Sequence, residues 1–79
     1  MSQSLPAYLK QARLRKGLRQ KDVANLLGYE SPQFISNWER GVSTPPLKLL
    51  SCLSHIYGLS RVDLEAKFIE DYIAKLRNS

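Results

Sequence analysis

Apolar residues recur along this chain at intervals of three and four, the period of an amphipathic helix, and nowhere in the two-residue alternation of a half-buried strand. Leu5, Leu9, Ala12 and Leu14 form the first set. Ser4 and Pro6 open it and Gly17 closes it, which predicts a helix over about 5–16. Gln20 begins a second stretch, with Val23, Ala24 and Leu27 on one face and Gly28 as its stop barely two turns on. Ser31 and Pro32 read as an N-cap followed by a first-turn proline, whose missing N–H costs nothing there. A third helix is therefore expected from Pro32 to about Gly41, followed by a rigid loop over Val42 to Pro46. Leu47, Leu50, Leu53, Ile56 and Tyr57 predict a fourth helix ending at Gly58. Ser60 opens a capping box with Asp63, and the stripe Val62, Ala66, Phe68, Ile69, Tyr72, Ile73 and Leu76 predicts a fifth, the longest. The expected fold is all-α: one compact domain of five helices with short loops and an extended last helix.

Seventy-nine residues suffice for a single small core and leave little volume for an enclosed substrate pocket, which counts against an enzyme. The apolar fraction of 43% is that of an ordinary globular protein, and no apolar run approaches the roughly 20 residues that span a membrane. The opening MSQSLPAYLKQAR has no apolar h-region and no small-residue cleavage site, so a soluble protein in the cytoplasm is expected, without a membrane partner. With Cys52 as the only cysteine, neither a disulfide framework nor a multi-cysteine zinc site is possible. The net charge is +5, and its distribution is uneven. Lys10, Arg13, Arg15, Lys16, Arg19 and Lys21 lie in the first 21 residues with no acidic residue among them, whereas charges cancel over residues 60–79. An anionic partner is expected for the first part and a different partner for the last.

The third helix carries the candidate chemistry. At 100° per residue, Phe34, Ile35 and Trp38 share one side, while Gln33, Ser36, Asn37 and Arg40 fall roughly opposite. Amides and a guanidinium on an outward face are what bidentate reading of adenine and guanine in a major groove requires. The alternative is a merely solvated polar face. The helix before it favours the first reading, because Arg19, Gln20 and Lys21 set cations, an amide and free N–H groups at a helix start where a phosphate would be held.

Arg13, GLRQKDVANLLG over 17–28, FISNWERG over 34–41, Pro45, Leu50 and GLS over 58–60 together resemble the phage-repressor and Cro type (Xre-like) helix-turn-helix domains, and the likeness covers about residues 5–64. The resemblance implies that helix 20–27 braces the backbone of double-stranded DNA while helix 32–40 enters the major groove. It gives Gln20 a phosphate at the start of the second helix, and it makes Gln33 and Asn37 the main base readers, flanked by Pro32, Ser36 and Arg40. Phosphate contacts are implied for Arg40 and the loop from Gly41 to Thr44, with Arg19, Lys21, Ser31, Ser43, Thr44 and Lys48 as the candidate set. Arg13 and Glu39 match a structural pair tying the first helix to the recognition helix.

Trp38, Phe34 and Tyr57 also suit stacking on unpaired bases, but their spacing fits a core better. His55 has no second ligand on its own helix, and Cys52 reads as a small buried apolar residue. No nucleophile, base and orienting group form a known motif, so catalysis, cofactor, metal and small-molecule substrate are all left unassigned. Residues 1–64 are read as the DNA-binding domain and 65–79 as a continuation of the fifth helix. In that continuation Phe68, Ile69, Tyr72, Ile73 and Leu76 either form a homodimer contact or pack back on the domain. The expected function is a repressor-like regulator on palindromic duplex DNA. The competing expectation is a protein-interaction module, such as an antitoxin or a polymerase-binding helix-turn-helix protein, whose DNA contact is secondary.

Overall fold

A computed structural model describes residues 3–78 and is helical throughout: α1 (Leu5–Arg15), α2 (Gln20–Leu27), α3 (Gln33–Glu39), a single 3-10 turn at Leu47–Leu49, α4 (Leu50–Tyr57) and α5 (Arg61–Arg77). Among the described residues there is no strand. The five-helix, all-α architecture thus agrees with the periodicity of the chain. α1 packs on α3 and α5, α2 packs on α3 and α4, and α4 lies against α5. Their shared core is Leu5, Leu9 and Ala12 of α1, Val23 and Ala24 of α2, Ile35 and Trp38 of α3, Leu50, Leu53 and Tyr57 of α4, and Leu64 and Phe68 of α5.

Several expected core positions lie outside it. Leu14 is 50% exposed because it stands about 180° around the helix from Leu5. The next place on the buried side of α1 goes instead to Arg13, only 7% exposed. Leu47 belongs to the 3-10 turn and is largely exposed. Cys52 is exposed as well, since Leu50, Leu53 and Tyr57 occupy the opposite side of α4. Phe34 is half exposed, so of the expected apolar face of α3 only Ile35 and Trp38 are buried. α3 begins at Gln33, with Pro32 as its N-cap, and the Ser31 hydroxyl accepts a bond from the Gln33 N–H at 3.4 Å.

The stripe of α5 is divided between two sides. Leu64 and Phe68 pack inward, one helical turn apart, whereas Val62, Ala66, Ile69, Ile73 and Leu76 lie on the other side and are exposed. The helix carries two apolar faces, and the richer one is turned away from the core. At about 1.5 Å per residue its 17 residues extend roughly 25 Å, beyond the 22 to 23 Å of the domain's shorter axes. It runs unbroken from Arg61 to Arg77, residues 65–77 continuing the fifth helix as expected.

Candidate nucleic-acid interface

Two turns position α3. The first follows α2, where Gly28 at φ +83 closes the helix: the Tyr29 N–H reaches back to the Ala24 carbonyl at 2.9 Å. A side chain there has room, so it is the backbone conformation that calls for glycine. Tyr29 is then clamped from α3, its ring 4.8 Å from Phe34 and edge-on to Trp38 at 6.0 Å. The second turn ends α3 at Gly41, φ +75, where the Val42 N–H bonds the Asn37 carbonyl at 2.9 Å. Ile35 and Trp38 anchor the helix beneath, which fixes its opposite side outward.

That outward side is already organised. The Gln33 amide donates to Asn37 Oδ1 at 2.9 Å, Arg40 Nη2 donates to the same oxygen at 2.6 Å, and Arg40 Nε donates to the Ser36 hydroxyl at 3.3 Å. The four side chains form one connected network on exposed or half-exposed positions, with no acidic member. The i, i+4 spacing of Gln33 and Asn37 was legible in the sequence, and the sharing of one amide oxygen between two donors was not.

Beneath the helix, Arg13 and Glu39 meet in a bidentate pair: Nε to Oε2 at 2.7 Å and Nη2 to Oε1 at 2.9 Å, with both side chains under a tenth exposed. Arg13 Nη1 also donates to the Leu18 carbonyl at 2.8 Å, and Gln20 Nε2 donates to Glu39 Oε1 at 3.1 Å. Donating to Glu39 holds the Arg13 guanidinium above its usual pKa. One carboxylate thereby joins α1, α2 and α3.

The start of α2 differs from expectation. Asp22, unremarked in the sequence, turns back to accept the Arg19 N–H at 2.8 Å and the Arg19 guanidinium at 2.9 Å. That contact pulls the Asp22 carboxyl below the usual range and raises Arg19. The N–H and the cation expected to be free are therefore engaged, and their i, i+3 spacing was a readable signal. Lys21, Ser31, Ser43 and Lys48 are exposed. Thr44, expected among the phosphate contacts, has partners within the domain: its hydroxyl donates to Asp71 of α5 at 3.1 Å and accepts from Lys75, which also pairs with Asp71 at 3.0 Å. Partners 27 residues apart left no mark in the sequence.

An apolar groove of about 440 Å³ lies between this loop and α5, with Pro45, Leu47, Phe68, Ile69 and Tyr72 along it. Phe68 is a core residue that forms its wall. Among the described residues no group of three or more His, Cys, Asp and Glu side chains is placed to hold a metal ion, and no helix is long and apolar enough to cross a membrane.

Comparison with known families finds a helix-turn-helix family model matching residues 9–64, which spans α1 from Leu9 to the first turn of α5. Comparison with curated proteins finds no match.

Proposed function

The chain belongs to the helix-turn-helix family of DNA-binding domains, and on that premise we propose that it is a sequence-specific regulator of the repressor kind that inserts α3 in the major groove. The observation that carries this reading is the exposed cluster of Gln33, Ser36, Asn37 and Arg40. Amides meet the N6 and N7 edge of adenine and guanidinium meets O6 and N7 of guanine, each with two bonds. Here they are oriented by one another before DNA arrives, which lowers the ordering cost of binding. Pro32 borders the same face. An amide has two N–H donors, so Gln20 can hold Glu39 with one and a phosphate with the other. Lys21, Ser31, Ser43 and Lys48 flank the reading helix as further phosphate contacts, and Arg19 joins them where phosphate competes with Asp22.

Two copies would occupy half-sites about one helical turn apart. Support for pairing comes from α5, whose exposed Val62, Ala66, Ile69 and Ile73 repeat at the alternating three- and four-residue interval of a coiled-coil seam. Residues 61–71 carry Asp63, Glu65, Glu70 and Asp71 against Arg61 and Lys67, a net charge of −2, and Lys75 and Arg77 add +2 toward the other end. An antiparallel second copy therefore faces acid with base. The apolar groove favours a second reading, in which a protein partner seats there and DNA contact is secondary.

Fluorescence anisotropy of duplex DNA across a salt series tests the main reading. Wild-type protein is expected to bind random-sequence duplex with strong salt dependence, and Gln33→Ala with Asn37→Ala to keep that binding while losing preference for a selected site. Arg40→Ala is expected to lower the slope of log affinity against log salt by about one if its guanidinium holds a phosphate in addition to a base edge. No binding at low salt would overturn the DNA reading.

A further inference from the structure

Phe34 stands at the margin between the two faces of α3. At 100° per residue it lies about 40° from the buried Trp38 on one side and about 60° from Asn37 on the other. Its side chain is 52% exposed, while the two apolar residues that anchor the helix are fully covered. The ring nonetheless rests on a neighbour, tilted 33° against Tyr29 at 4.8 Å, and Tyr29 in turn abuts Trp38. An exposed apolar surface thus borders a polar network of amides and guanidinium.

Base pairs offer one apolar group in the major groove, the C5 methyl of thymine, and an aromatic side chain is among its complements. A ring that already rests against a neighbour has less freedom left to lose on meeting it. We propose that Phe34 determines specificity by packing on a thymine C5 methyl beside the base edge that Gln33 or Asn37 reads. This rests on the DNA-binding reading and adds to it a preference for an A·T pair at one defined step.

The test replaces thymine with deoxyuridine, which removes the methyl and nothing else. A site is first selected from a random duplex pool by the wild-type protein, and its thymines are then exchanged one at a time. Wild-type affinity is expected to fall about four-fold at one position, the factor that burying one methyl-sized group supplies. Phe34→Ala is expected to bind the thymine and uracil duplexes equally there. Phe34→Gln, which keeps a long helix-compatible side chain, carries the same comparison should Phe34→Ala fail to fold. Indifference of the wild type to every exchange would overturn the proposal. So would unchanged discrimination in the variants, or a selected site with no thymine under α3. A variant that discriminates as the wild type does but weakens on every duplex would mean a sugar or packing contact, which also refutes it. Failure of the wild type to bind any duplex would instead overturn the DNA reading itself.

Discussion

Glu39 accepts two bonds from Arg13 and one from Gln20, all from other helices, at a side chain with 3% exposure. The attraction within such a pair is largely spent on removing both charges from water, so the measurable effect lies in breaking it asymmetrically. Glu39→Ala leaves the Arg13 cation among core residues with no counter-charge, and we expect it to lower unfolding stability by about 3 kcal/mol in urea titration. Arg13→Met combined with Glu39→Leu is expected to cost clearly less than the single change. Tyr57 supplies a second prediction. Burial first, and the Glu39 charge next, hold its phenol well above the usual tyrosine pKa near 10, against a smaller opposing pull from Arg13. The folded state thus keeps the proton that the unfolded state releases above pH 10. The stabilisation is complete below that pH and declines as pH rises beyond it toward the folded value. Tyr57→Phe should flatten the alkaline loss of stability measured by denaturant titration between pH 9 and 12. An equal slope in both proteins would remove Tyr57 as its source.

At the scale of elements, α5 separates two roles by side. Leu64 is fully buried, so Leu64→Ala is expected to cost about 2–5 kcal/mol in unfolding stability whatever the protein concentration. Ile69 is 53% and Ile73 41% exposed. Ile69→Asp with Ile73→Asp is expected to change monomer stability little and to abolish a dimer seen in analytical ultracentrifugation of the wild type. A dimer that survives the double change would place the contact elsewhere, and a wild type that stays monomeric at all concentrations would leave α5 without that role. The periodicity of α5 predicted a helix correctly and left open whether its stripe faces the domain or a partner; the structure buries Phe68 of that stripe and exposes the rest. A stripe of branched and aromatic residues signals burial against something, and sequence spacing carries no sign for whether that something is the same chain.

For the molecule as a whole, the number, order and approximate ends of the helices, and the family to which they belong, could be read from the residues in order. Those properties reside in short-range signals: three-and-four spacing, Gly28 and Gly41 at turns that need a positive φ, and Ser60 accepting the Asp63 N–H. The residue order also set Gln33, Ser36, Asn37 and Arg40 on one side of one helix, because geometry within a helix follows from residue number alone. Packing selected which of the two apolar faces α5 buries. It likewise turned Thr44 toward Asp71 and Lys75, committed part of Gln20 to Glu39, and left Phe34 resting against Tyr29 beside the reading face. Each of these depends on which segments meet after the chain has folded back. Contact between residues far apart in sequence is governed by the packing of the whole core, on which local periodicity has no hold.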